Sequence, residues 1–187
     1  MANVLFISEA FVKDNTLLHE NIDFKFLRPV IILCQDIHLQ PKLGTTLYNE
    51  IKTQITAGTL TTANTTLLND HIQPMLLYWV QAEAPTAISY KFLNKGVMQQ
   101  TSENSSAASL DEINFISQKY KDKAEWYTER LVTYLLEHST DFAAYQNPED
   151  GLDIIQPDTQ TFTTGMYLGR RPKFISLEDK YESKRKY

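Results

Sequence analysis

The sequence is short of most residues that carry local chemistry. Its one cysteine, Cys34, sits in the apolar run VIILCQDI. An intramolecular disulfide is therefore excluded, and a buried, chemically quiet thiol is expected. Six glycines are scattered through 187 residues, and none belongs to a Gly-rich phosphate loop or a nucleophile elbow. None of the histidines His19, His38, His71 and His138 is followed two to four residues later by a second histidine or cysteine, the spacing of many local metal sites. The acidic run PEDGLD, with Glu149, Asp150 and Asp153, lacks the alternating oxygen ligands and closing glutamate of a calcium loop. No catalytic, cofactor-binding or metal-ligating residue is expected from these patterns.

Local motifs do not reveal a site assembled from distant residues. The one dispersed constellation to follow is Glu83, His71 and Tyr78. For Glu83, which falls close to an apolar stripe, a structural ion pair to Arg28 or Arg130 is the plainer expectation. Long apolar runs are also missing: nothing approaches the roughly 20 residues of a membrane span. The opening MANVLFISEAF has no basic region followed by a long apolar one. A soluble, non-secreted protein without a membrane partner is expected.

What the sequence does have is an uneven distribution of charge. Up to Gly169, 11 Lys and Arg oppose 20 Asp and Glu, a net of −9; beyond it 7 oppose 3, a net of +4. An acidic body with a basic tail suggests pairing between copies. The same pattern arises in a solvated tail whose charges only aid solubility.

Helical periodicity dominates the body. The segment ISEAFVKDN can form a short helix capped by Ser8. From Asp23 to His38, Leu27, Val30, Ile31, Cys34 and Ile37 recur at helical spacing, with Pro29 near the first turn. Gln40-Pro41 and Gly44 mark an end, after which GTTLYNEIKTQITAG reads as a helix with a Thr N-cap, Leu47, Ile51 and Ile55 on one face, and Gly58 beyond. A Thr-rich turn leads to a longer helix whose buried stripe is Leu68, Ile72, Met75, Leu76, Trp79 and Tyr90. Pro74 and Pro85 predict a kink at one and a break near the other.

Residues 94–109, NKGVMQQTSENSSAAS, read as a long loop. The longest helix follows from Ser109, its N-cap, to about His138. Ile113, Ile116, Tyr120, Ala124, Tyr127, Leu131 and Leu135 form its expected core face, while Phe115 and Trp126, 11 residues apart, share a different face. Two apolar faces imply either an enclosed helix or one that also contacts another subunit.

The expected architecture is mainly α: a helical bundle domain of about five helices over residues 1–147, then a linker and C-terminal arm with a basic tail over residues 148–187. The arm, extended and partly β, contains TFTTGMYLGRRPKF, whose strand formers are interrupted by Gly165, Gly169 and Pro172. It needs a neighbour's sheet or groove to become ordered, and is otherwise a disordered tail. Phe162, Met166, Tyr167, Arg170, Arg171 and Phe174, with Phe115 and Trp126, are the candidate subunit or partner interface.

Several blocks resemble the head–tail connector (adaptor, ring or neck) proteins of tailed phages, of the crAss-like and Bacteroidetes phage type. They are LFISEAFVKDNT; ENIDFKFLRPVIILCQDIHLQPKLGTTLYNEI, with its turn of Leu43, Gly44, Leu47 and Tyr48; and NKGVMQQTSENSSAASLDEINFISQKYKDKAEWYTERLVTYLLEH. Their order and spacing carry the resemblance, over about 140 residues. It implies a non-enzymatic structural virion protein without a cofactor, a subunit of a homo-oligomeric ring, usually a dodecamer, that joins the portal to the tail and extends the DNA channel. Its implied partners are the portal protein and tail or further neck ring proteins. Non-specific contact with packaged DNA is open to the basic tail, and the implied location is the virion neck after assembly in the host cytoplasm. The arm lies outside the matched blocks. The alternative is a helical interaction or regulatory module whose basic tail, with Tyr181 and Tyr187 among its charges, binds nucleic acid.

Overall fold

The computed structural model describes residues 4–19, 21–93, 96–99, 109–149, 151 and 153–160. It is a mainly α-helical domain carried by about five helices. Helix α1 spans Glu9–Asp14 and starts as expected, with Ser8 Oγ accepting from the Phe11 N–H at 3.1 Å. Helix α2 spans Phe24–Cys34, capped by Asp23, and continues through a π turn, Gln35–Leu39, into α3, Gln40–Ala57. Pro29 lies inside α2, beyond its first turn.

Of the expected end marks, Gly44 interrupts the helix and Gln40-Pro41 do not. The helical path runs through the proline and bends at Gly44, whose φ of 74° is open to glycine and strained for other residues. After the bend α3 ends at Gly58, also left-handed, whose N–H returns to the carbonyls of Gln54 and Ile55.

Helix α4, Thr62–Thr66, begins inside the Thr-rich stretch read as a turn, because Thr61 supplies an N-cap. It runs through a second π turn, Leu67–Ile72, into α5, Gln73–Ser89. Pro74 follows the π turn and Pro85 is carried inside α5, so neither breaks the helix. Tyr90, expected in the helical stripe, instead opens strand β1, Tyr90–Leu93, paired antiparallel with β2, Gly96–Gln99. The stretch read as a loop thus opens with a strand containing Val97, a strand former. Residues 100–108 of that stretch lie outside the described residues.

Helix α6, Leu110–Glu137, has the predicted N-cap, Ser109, and Glu112 completes a reciprocal capping box with it. A 3-10 turn, Ser139–Asp141, and α7, Ala143–Gln146, then bury Phe142 and Tyr145. Helix α5 packs most extensively on α6 and next on α2.

The two π turns answer a feature of the sequence. Buried residues recur every four positions: Leu27, Ile31, Gln35, Leu39, Leu43, and again Leu67, His71, Met75, Trp79, paired with Leu68, Ile72, Leu76, Val80. Each step of four overshoots an α-helical turn by about 40°, so two or three steps accumulate about one residue of excess. Each π turn absorbs such a residue, with the N–H of Gln40 reaching the carbonyl of Gln35 and that of Gln73 reaching Leu68. The buried side therefore passes from Cys34 to Gln35 and Leu39. Ile37, expected in the core from α-helical spacing, is 55% exposed.

The N-terminal segment is clasped between the two turns. Gln35, 2% exposed, accepts from the Phe6 N–H at 2.9 Å and donates to the Val4 carbonyl at 3.1 Å, while Gln73 donates to the Phe6 carbonyl at 3.3 Å. Phe6 and Ile7 are thereby core residues, with the Phe6 ring stacked on Tyr48.

At the other end of the body, Glu149 and residues 153–160 dock as a strap on the Gly44 bend. The Thr45 N–H donates to the Ile155 carbonyl at 2.9 Å, the Asp158 N–H donates to Pro41 at 2.8 Å, and Lys42 Nζ lies 2.9 Å from Asp158 Oδ2. Lys42 also donates to the carbonyl of Gln160. Pro157 sits where a side chain at residue 44 would be: a Cβ there would meet its Cγ at 2.7 Å.

Candidate interaction surface

Helix α6 separates a core side from an aromatic outer side. Ile113, Ala124, Thr128, Leu131, Val132 and Leu135 are buried against α5 and its neighbours. Tyr120 and Tyr127 pack partly buried on that core. Ile116, assigned to the core face by its spacing from Ile113, is 44% exposed, since it lies beside the stripe that α5 covers. Thr128 was missed because it is polar: its Oγ1 accepts from Trp79 Nε1 at 3.0 Å and donates to the Ala124 carbonyl at 2.8 Å, so its burial leaves no hydrogen bond unmade.

On the outer side Phe115 is 64% and Trp126 58% exposed. Eleven residues correspond to three turns and about 20°, or roughly 16 Å along the axis, and a further eleven reach Glu137 on the same line. Lys119 lies over the Phe115 ring at 5.2 Å, and Trp126 meets Tyr127 with the ring planes near a right angle, Tyr127 in turn stacking on Tyr78 at 4.7 Å.

Between α6 and the second π turn runs a groove of about 370 Å³. Trp126, Tyr134 and His71 give it an aromatic lining; Glu129, Arg130 and Glu137 supply charge. The His71 ring stacks on Tyr134 at 3.9 Å, and Tyr134 stacks in turn on His138 at 4.3 Å. Burial, with Arg130 nearby, pushes the His71 pKa down, so the imidazole is neutral. Glu129 and Glu137 form no ion pair with the described residues. The groove thus has an aromatic floor and an excess of negative charge.

The constellation of Glu83, His71 and Tyr78 is not assembled. All three lie on one helical path, with His71 held against Tyr134, Tyr78 against Tyr127, and Glu83 half-exposed with its nearest basic group the His38 ring, Nε2 to Oε1 3.9 Å. Neither Arg28 nor Arg130 pairs with Glu83, because a side chain still in contact with water needs no buried counter-charge. His38 itself is neutral near pH 7: burial, then Lys121 and Lys42, lower its pKa to about 4. Burial also raises the Cys34 thiol far above its ordinary range.

Among the described residues no group of three or more His, Cys, Asp or Glu side chains is gathered to hold a metal ion, and no helix is long and apolar enough to cross a membrane. Of the interface candidates, Phe162, Met166, Tyr167, Arg170, Arg171 and Phe174 lie outside the described residues.

The fold and surface define a helical domain with its core on one side of α6 and exposed aromatics on the other. The chain belongs to the Family of unknown function (DUF6712), whose model matches residues 39–153, from the end of the first π turn into the strap. No curated protein and no solved structure matches the chain.

Proposed function

We propose that the chain is a structural, non-catalytic subunit of the head–tail connector ring of a tailed-phage virion, joining the portal to the tail and extending the DNA channel. The observation that carries the reading is the outer side of α6, where Phe115 and Trp126 stay exposed on a helix whose opposite side supplies the core. Scattered single apolar residues are ordinary on a surface, but two large aromatics on one line of a well-capped helix favour a contact with another chain. The ordered blocks shared with phage connectors and the opposed charges of body and tail support the same reading.

In this function the α6 face packs against a neighbouring subunit of the homo-oligomeric ring, a dodecamer by resemblance. Residues 161–187, as an extended and partly β arm, engage the adjacent subunit, the portal or the next neck ring. A heterologous contact repeated around a closed circle buries one arm per subunit without leaving a free end. The protein then resides in the virion neck, after assembly in the host cytoplasm.

The test is the solution mass by light scattering, over a concentration range, with and without residues 161–187 and with and without portal protein. A large closed oligomer, or a monomer recruited into a ring by portal, supports the connector. A monomer indifferent to portal that binds DNA with steep salt dependence replaces it with the nucleic-acid-binding regulatory module.

A further inference from the structure

We infer that the groove between α6 and the second π turn is the receptor for the arm of a second copy, and that it recognises the Arg170-Arg171 pair with its flanking aromatics Tyr167 and Phe174. The inference rests on the connector reading for the presence of neighbouring copies, and it commits that reading to one contact. Three observations carry it: the shape and lining of the groove, its charge, and the composition of the segment that would fill it.

The groove has room for one or two large side chains, at about 370 Å³, and Trp126 is 58% exposed at its mouth. An indole face open to water is the best side-chain platform for a guanidinium, which stacks on it through cation–π attraction and loses little hydration in doing so. Glu129 and Glu137 stand two helical turns apart on the same helix, roughly 12 Å along its axis, and neither has an ion-pair partner among the described residues. With His71 neutral, Arg130 offsets only one of these two carboxylates. The site therefore selects a cation that also offers an apolar or aromatic surface.

Outside the described body two basic stretches are flanked by aromatics, one between Tyr181 and Tyr187 and one between Tyr167 and Phe174, and the second alone holds two adjacent arginines. Residues 167–174, YLGRRPKF, place Arg170, Arg171 and Lys173 between Tyr167 and Phe174, within a tail of net charge +4 that faces a body of −9. Charge opposition of this size steers the encounter, and planar two-pronged pairing of arginine with a glutamate fixes the register. A lysine in place of either arginine would keep the attraction and lose the stacking and fork geometry.

The test uses full-length protein. The acceptor is R170E/R171E, whose own arm has lost the recognised charge, and the probe is a fluorescently labelled peptide of residues 161–187 followed by anisotropy. The peptide is expected to bind, with roughly ten-fold or greater weakening when E129R/E137R is added to the acceptor and a comparable loss in high salt. Binding that is absent, or equal with and without E129R/E137R, overturns the assignment. Light scattering of the wild-type chain with and without portal protein then reads the occupant. Association that R170E/R171E abolishes and the combined four-fold charge exchange restores places the arm in a second copy. Association untouched by R170E/R171E overturns that contact while leaving portal-dependent ring formation, and hence the connector reading, standing.

Discussion

The imidazole of His38 lies flat on the indole of Trp79, ring centroids 3.5 Å apart and planes 8° from parallel. The same indole donates its N–H to Thr128 at 3.0 Å. One side chain thus joins the first π turn to α5 and α5 to α6. Replacing Thr128 by valine keeps the volume and removes the acceptor, leaving a buried indole N–H unpaired at a cost of about 1–3 kcal/mol. Urea unfolding of T128V should show that loss with an unchanged slope; stability equal to wild type would refute the importance of the bridge.

The His38 stack also sets a pH dependence. Its folded pKa of about 4 lies below the ordinary histidine value, so between the two the unfolded chain binds a proton that the folded chain refuses. The stabilisation is complete above about pH 6.5, is lost as the pH falls toward 4, and levels off below. His71, also lowered, acts with the same sign. Unfolding midpoints taken near neutrality and near pH 5 should separate, and His38→Phe, which keeps a flat ring on Trp79 without a titrating group, should narrow the gap. A gap that H38F leaves intact would show that other groups set it.

Gly44→Ala should release the strap. The added Cβ meets Pro157 Cγ at 2.7 Å and Cδ at 2.8 Å, at a φ of 74° that alanine tolerates poorly. A destabilisation of about 1–3 kcal/mol is expected. Hydrogen exchange should show it locally, as faster exchange at Asp158 and Thr45, whose amides donate across the strap contact; protection as in wild type would mean that the bend does not depend on glycine.

The two sides of α6 should respond oppositely to truncation. Leu131→Ala opens a cavity in the core and should destabilise by about 2–5 kcal/mol, because Leu131 is fully buried. Phe115→Ala and Trp126→Ala should change the stability of the isolated chain by no more than about 0.5 kcal/mol. A large loss from either aromatic substitution would mean that its ring belongs to the core.

What the sequence made legible follows from which physics is local. Ser109, Ser8 and Gly58 announced their helix ends because capping is a contact within three or four residues. Leu131 and Leu135 announced the α6 core through period alone. Ile37 and Ile116 were misplaced because spacing by three or four defines a broad face, and only the neighbour decides which edge of it is covered. That Phe115 and Trp126 share a face of α6 was readable from the 11-residue interval; that the face stays exposed was not. The groove was not, since His71 reaches it from another helix. The strap was also illegible: it is held by backbone hydrogen bonds and by a proline resting on a glycine, neither of which leaves a periodic trace.

Each π turn means that its helix carries one residue more than an α-helical path between the same two packing positions requires. Length in a buried helix is normally rigid, since adding or removing a residue turns everything beyond it by about 100°. Here the surplus is stored in a defined place. Removing one exposed residue of Gln35–Leu39, such as Ile37, would let the chain close into α-helix while Ile31 and Leu43 keep facing the same core. The same loss in the middle of α6 would swing Leu131 outward. The two turns are therefore the points at which this domain can tolerate a change of reading length, and single-residue deletion scanning along α2–α3 should find its tolerance there.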